Sequence, residues 1–149
     1  MDITNTKRLR VLNRIIFVLS LAGLIMGSYV LQSFLRQSSI ICFNGGGCEA
    51  VRKNAASWPF GIPVPAVGVM GYGILLILTF LRTIKDDSRL LKAILGMATF
   101  GICFVTWFTY TEIFIIRGIC TWCAVSAVNM YVIFGLTLAS MKLNGGHQT

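Results

Sequence analysis

Residues 15–35 of this 149-residue chain read IIFVLSLAGLIMGSYVLQSFL, a run without a charged side chain. At about 1.5 Å per residue, a helix over this run is roughly 31 Å long, enough to cross the hydrocarbon core of a bilayer. Hydrophobic residues make up 56% of the chain and charged residues 12%, whereas soluble domains average about 45–50% and 25%. The chain is therefore predicted to be an integral membrane protein.

Three more apolar segments follow the first, at about residues 64–81, 93–116 and 122–141. Together the four predict an all-α fold: a four-transmembrane-helix bundle forming a single membrane domain over 1–149. An outward loop, 36–63, and a capping segment follow the first helix. The first segment is interpreted as a retained helix because it is longer than a signal-peptide core and lacks a cleavage site of small residues.

The net charge of +8 does not indicate nucleic-acid binding, because the basic residues flank the apolar runs and form no single stripe. With four spans, nine Lys and Arg residues fall on the side of the two termini and four on the other side. The positive-inside bias therefore predicts cytoplasmic termini. The loops on the opposite side would then face the periplasm or exterior from a bacterial inner membrane, or alternatively the lumen of the endoplasmic reticulum.

Four of the five cysteines fall on the outward side. Cys42 and Cys48 lie in the loop, Cys120 and Cys123 form a CxxC motif where the fourth segment begins, and Cys103 is interpreted as a packing residue. Disulfides persist in outward compartments, and CxxC pairs are typically redox-active. The two pairs therefore predict electron transfer by thiol–disulfide exchange. Static disulfides and a zinc site are the alternatives.

Residues around the cysteines offer further hypotheses. The stretch FNGGG at 43–47 predicts a mobile loop that carries its cysteines between an external partner and the CxxC motif. Arg52, Lys53 and Arg117 either favour thiolates or are simply solvated. Residues 58–65 would cap a pocket between helices or anchor the chain at the interface. Glu112 is the one acid within a span and so a functional candidate, although pairing with Arg117 is favoured.

These features together resemble the vitamin K epoxide reductase family. The resemblance rests on the spaced cysteine pair, on Phe60-Gly61 after Cys48, on Gly68 and Tyr72 in the second segment, and on the CxxC motif that opens the fourth. It covers most of the chain. The spaced pair precedes the CxxC motif, which is the reverse of the order in the bacterial DsbB-type enzymes.

The resemblance implies a membrane thiol oxidoreductase that supports disulfide bond formation, and no metal. Cys42 and Cys48 would receive electrons from a separate thioredoxin-fold (DsbA-like) protein, since the chain ends soon after the fourth helix without a fused thioredoxin-like domain. Cys48 would then attack Cys120, giving a mixed disulfide. Cys123 would pass the electrons to a membrane quinone, which is ubiquinone, menaquinone or vitamin K.

The resemblance also places the quinone among the four helices near the outward end. The candidate quinone-binding residues are Asn54, Ser57, Phe60, Tyr72, Trp107, Tyr110 and Glu112. The family usually has a serine six residues after the second loop cysteine, where this chain has Asn54, and Val64 falls about where the animal enzymes have an asparagine. This difference favours plain quinone reduction over reduction of vitamin K epoxide. A non-catalytic membrane adaptor with structural disulfides is the other alternative.

Overall fold

The structure is a computed structural model that describes residues 3–43 and 45–146, so Asn44 of the glycine-rich loop lies outside the described residues. The described part is helical and contains no strand. Its α-helices are α1 (Ile3–Arg36), α2 (Gly47–Lys53), α3 (Val64–Ile84), α4 (Ser88–Thr111) and α5 (Thr121–Gly145), and a π-helical turn, Glu112–Ile116, continues α4. The helices α1, α3, α4 with its π-turn, and α5 are each long and apolar enough to cross a membrane. The predicted all-α membrane fold is confirmed.

The four long helices form a closed bundle. Helix α1 packs against α3 and α5, and α4 packs against the same two helices. The ring of Tyr72 lies so close to Gly23 that a side chain at this position of α1 would collide with it. At the opposite end of the bundle, Asn13 Nδ2 donates hydrogen bonds to the Thr79 carbonyl at 3.1 Å and to Thr83 Oγ1 at 3.0 Å. Small residues and polar contacts of this kind hold transmembrane helices together.

The helices extend beyond the apolar segments read from the sequence. Helix α1 begins at Ile3 instead of near Ile15, because its first turns carry polar and basic side chains that hydropathy does not register. Helix α4 begins at Ser88 after Asp87, whose side chain accepts a hydrogen bond from the Arg89 backbone N–H at 3.0 Å. Such a cap satisfies an N–H group that the helix leaves without a partner.

The segment between α1 and α3 is a folded cap. It comprises α2 and two 3₁₀ turns, Ala55–Ser57 and Pro59–Gly61. The Arg52 guanidinium donates to both Glu49 carboxylate oxygens, at 2.8 and 2.9 Å, and to Gln37 Oε1 at 3.1 Å. Trp58 Nε1 donates to the Arg52 carbonyl at 3.1 Å, and its ring packs against Phe34. These contacts join the cap to the end of α1, so a freely swinging loop does not describe this segment.

Candidate functional site

Cys42, Cys48, Cys120 and Cys123 meet in one apolar cluster at the end of the bundle. Cys42 and Cys48 form a disulfide, whereas Cys120 and Cys123 are free thiols. The Cys120 Sγ lies 3.4 Å from the Cys48 Sγ, and each of these two residues is only 1% exposed. Cys42 is partly exposed. The loop pair is therefore oxidised and the helix pair reduced, with one sulfur of each pair in contact.

The first turn of α5 is hydrogen-bonded to the segment that precedes Cys42. Trp122 Nε1 donates a hydrogen bond to the Ile41 carbonyl at 2.9 Å, and the Trp122 ring packs against Tyr29 of α1. The hydroxyl of Thr121 lies 3.7 Å from the Cys42 sulfur. The intervening residues of the CxxC motif thus hold the loop disulfide beside the helix pair.

Cys120 occupies the N-cap position of α5. The Cys123 thiol, by hydrogen bonding to its sulfur, lowers the pKa of Cys120 to about 7, and the backbone N–H groups of Cys123 and Trp122 act in the same direction. Thiolates are generally favoured at helix N-termini. The hypothesis that Arg52, Lys53 and Arg117 stabilise the thiolate is not supported, because the first two pair with Glu49 and the third is exposed.

We expect the Cys120 thiol to ionise with a midpoint near pH 7, below the ordinary cysteine value of about 8.5. The measurement is thiolate absorbance at 240 nm against pH in a Cys103→Ala background, with the loop disulfide intact. The Cys123→Ala variant removes the main hydrogen-bond donor and should raise the midpoint. Equal midpoints with and without Cys123 would contradict this explanation.

Gly47 allows the loop to approach the turn between α4 and α5. A Cβ built at Gly47 would overlap the backbone carbonyl of Ile119, the residue before Cys120. Since backbone cannot move aside as a flexible side chain can, any larger residue must push α2 away from this turn. Gly47 therefore sets the separation between Cys48 and Cys120.

We expect Gly47→Ala to slow exchange between the two cysteine pairs by up to about 100-fold, because a displacement of about 1 Å can cost this much. Quenched alkylation followed by mass spectrometry would measure the rate. Gly73→Ala is the matched control, since a Cβ there meets no atom within 4 Å. Equal rates for the two variants would show that the close approach is unimportant.

Glu112 lies directly behind the CxxC motif, in the π-helical turn. It is 1% exposed, its carboxyl lies beside the Cys123 thiol and the Cys120 backbone amide, and its Oε1 has no hydrogen-bond partner among the described residues. The predicted pairing with Arg117 is wrong. The chain turns at Arg117 with φ of 55°, which leaves this side chain exposed while Glu112 is buried.

An apolar cavity opens between the helices beneath the CxxC motif. Its wall includes Cys123 and Trp122 of α5, Tyr72 of α3 and Phe104 and Phe108 of α4. Its volume of about 90 Å³ is several times the roughly 10–15 Å³ that one water molecule needs. The Cys123 thiol therefore borders an apolar cavity that no residue of the loop lines.

The predicted quinone-binding residues are only partly brought together. Tyr72 lines the cavity, and its hydroxyl donates to the Ser126 carbonyl at 3.0 Å. Trp107 and Tyr110 lie outside the cavity wall and are exposed. They belong to a neighbouring face of α4, because each residue of a helix is rotated by about 100° from the one before it.

The remaining candidates belong to the cap or its border. Asn54 Oδ1 accepts a hydrogen bond from the Ala56 backbone N–H at 2.9 Å, which caps the first 3₁₀ turn. Ser57 is fully buried and donates to the Val51 carbonyl at 2.6 Å. Phe60 has a positive φ of 56° and projects fully from the surface. These three residues, like Glu112, do not line the cavity.

Sequence reasoning missed several cavity residues that helical spacing could have found. Counting along α5 from Cys123 in steps of three and four reaches Ser126 and Met130, both of which line the cavity. Cys103 was expected to be a packing residue, yet it is exposed on α4 and does not belong to the cluster that contains the four other cysteines.

No group of three or more His, Cys, Asp or Glu side chains within residues 3–43 and 45–146 is arranged to hold a metal ion. Residues 14–138 match the sequence profile described as the vitamin K epoxide reductase family, which spans more than half of the chain. Proteins of this family are membrane thiol oxidoreductases or quinone reductases and generally work with thioredoxin-like redox partners. With four spanning helices, two cysteine pairs in contact and this match, the chain belongs to the vitamin K epoxide reductase family.

Proposed function

We propose that this protein forms disulfide bonds in a thioredoxin-fold partner and passes the electrons to a membrane quinone. The observation that carries the proposal is the 3.4 Å separation between the Cys48 and Cys120 sulfurs. Thiol–disulfide exchange proceeds by thiolate attack on a disulfide sulfur, through a mixed disulfide. At this separation the loop pair and the helix pair can exchange with little rearrangement, so they constitute one relay.

Electrons enter at Cys42, because Cys42 is partly exposed whereas Cys48 is buried against Cys120. A thiolate of the partner attacks the Cys42 sulfur, and the bond between Cys42 and Cys48 breaks. The second thiol of the partner then displaces Cys42. The partner leaves as a disulfide, and the loop pair holds the two electrons as a dithiol.

The internal step transfers these electrons to the helix pair. The Cys48 thiolate attacks Cys120 of the Cys120–Cys123 disulfide, and Cys123 leaves. Cys42 then attacks Cys48, which restores the loop disulfide and releases Cys120 as a thiolate. The lowered pKa of Cys120 favours this release, since thiols of lower pKa are better leaving groups. The structure, with an oxidised loop pair and a reduced helix pair, is consistent with the product of this step.

Glu112 supplies the proton that Cys123 takes up when it leaves. The carboxyl lies beside the Cys123 thiol, and no cation pairs with it in the described part of the chain. Protonated Glu112 neutralises the departing thiolate in an apolar cluster where water is scarce, and the Glu112 carboxylate takes the proton back when Cys123 is oxidised. An acid within a membrane span commonly marks a proton pathway.

The cavity beneath Cys123 suits a quinone in its chemistry. Its walls are mostly aliphatic and aromatic, as a prenylated ring requires, and Cys123 forms part of them. A quinone bound there would accept two electrons and two protons. The hydroxyls of Tyr72 and Ser126, 3.1 Å apart at the cavity wall, are the polar groups available to orient its ring.

The charge distribution supports an outward location for the relay. Nine Lys and Arg residues lie at the bundle end that carries the two termini and the α3–α4 connection, and four lie at the end that carries the cysteines. Positive-inside bias then favours the periplasm or cell exterior as the location of the cysteines. Disulfide formation belongs in this compartment.

The test is a quinone-reduction assay on the purified full chain, with a reduced thioredoxin-fold protein as electron donor. We expect ubiquinone or menaquinone to be reduced with one partner disulfide formed per quinone, and Cys103→Ala to behave as wild type. A chain that reduces neither quinone with this donor or with dithiothreitol would refute the proposal and favour a non-catalytic adaptor. Turnover of vitamin K epoxide alone would point instead to an epoxide reductase.

A further inference from the structure

A second cavity lies at the opposite end of the bundle, between the beginning of α1 and the end of α3. Its volume is about 370 Å³, and its wall combines three arginines with a single acid. The charged residues of the wall are Arg10, Arg14, Arg82 and Asp86. The cavity therefore has an excess of two positive charges, and nothing in the thiol relay makes use of it.

Arg82 is the unusual member of this wall. It is only 6% exposed, and its Nη1 has no hydrogen-bond partner among the described residues. Asp86 lies near enough to interact electrostatically but forms no ion pair with it within 4 Å. A buried guanidinium with an unused donor is costly unless something else pairs with it.

The neighbouring polar groups restrict what that partner can be. Asn13 Nδ2 is occupied by Thr79 and Thr83, whereas its Oδ1 is buried and has no partner in the part of the chain that the structure describes. The wall thus combines arginine donors for an anion with a free carbonyl acceptor for a hydroxyl. Leu9 and Ile84 add apolar surface to the same wall.

We propose that this cavity binds the phosphate of an anionic phospholipid whose headgroup also carries hydroxyl groups. The arginines pair with the phosphate, because the guanidinium fork matches phosphate oxygens. Asn13 Oδ1 accepts a headgroup hydroxyl, and the apolar wall faces the lipid chains. Basic pockets between transmembrane helices are known to hold such headgroups. Free inorganic phosphate presents the same oxygens without the apolar part, so the test must separate the two sources.

The experiment is native mass spectrometry of the full chain in detergent. The probes are phosphatidylglycerol, phosphatidylcholine and inorganic phosphate, each added separately. We expect phosphatidylglycerol to be retained at least about fivefold better than phosphatidylcholine. Arg82→Gln should lower the retention of phosphatidylglycerol roughly fivefold. Arg89→Gln, an exposed arginine outside the cavity wall, is the matched control and should bind as wild type.

The double variant Arg10→Gln/Arg14→Gln keeps the proposal testable if Arg82→Gln fails to fold, because both side chains are exposed. It too should lose preference for phosphatidylglycerol. Competition by millimolar inorganic phosphate would support the phosphate site and show that the apolar contacts add little. Equal retention of the two lipids by wild type, or unchanged preference in the cavity variants, would overturn the proposal.

Discussion

Replacing Cys120 or Cys123 with alanine is expected to abolish quinone reduction with every electron donor. In the proposed relay, all electrons cross this helix pair before they leave the chain, and Cys123 is the cysteine in the cavity wall. Cys42→Ala and Cys48→Ala should lose activity with a thioredoxin-fold donor but keep it with dithiothreitol, which is small enough to reach the helix pair directly. Activity is measured as the loss of quinone absorbance.

The same variants can trap the intermediate of the relay. The chain carrying Cys42→Ala and Cys123→Ala in a Cys103→Ala background retains only Cys48 and Cys120, whose sulfurs are 3.4 Å apart. Mild oxidation should join them in an intramolecular disulfide, detected as a loss of two hydrogens by mass spectrometry. The matched control retains Cys42 and Cys123 instead and should crosslink far more slowly. Identical loss of dithiothreitol activity in all four single variants would contradict the ordered relay.

Glu112→Gln is expected to slow the opening and closing of the Cys120–Cys123 disulfide by about 100-fold, because a positioned acid–base group typically contributes 10²–10⁴-fold. Glutamine keeps the size of the side chain but cannot carry the proton. The rate is measured in a single turnover without quinone, by acid quenching and thiol alkylation. Since only the proton-transfer function is removed, partner binding should be unchanged.

Two controls separate this role from a structural one. Glu112→Asp keeps the carboxyl and should restore part of the rate, whereas loss of structure would give equal defects in both variants. Asp87→Asn makes the same change of acid to amide at the N-cap of α4, where asparagine caps a helix as well as aspartate. A wild-type rate for Glu112→Gln at every pH would show that Glu112 does not transfer the proton.

The length of the helices and the lining of the apolar cavity are two features that the sequence did not predict. Hydropathy finds the apolar part of α1 but not its polar beginning at Ile3. Trp107 of α4 is a candidate quinone-binding residue by its aromatic side chain, yet the cavity is lined by Phe104 and Phe108 and not by Trp107. The choice depends on the rotation of α4 against its neighbours, which is a property of packing and cannot be read from residue type.

The mobility predicted for the glycine-rich loop is a second feature that the sequence could not decide. Its glycines predict mobility, but Gly47 instead permits close contact with the Ile119 carbonyl, and Arg52 joins the cap to α1 through Glu49 and Gln37. A glycine has the same sequence signature in both roles. Only the neighbouring backbone distinguishes freedom from tight packing.

The sequence by itself determined that the chain is an all-α membrane protein with two cysteine pairs, because hydrophobicity and residue identity are local properties that need no folded structure. Its motifs were also sufficient to suggest the family. The tertiary structure decided which sulfurs meet, that Glu112 faces Cys123 and not Arg117, and that Arg82 is buried beside a basic cavity. These outcomes depend on contacts between residues far apart in the chain, which are set by the packing of the helices and of the cap.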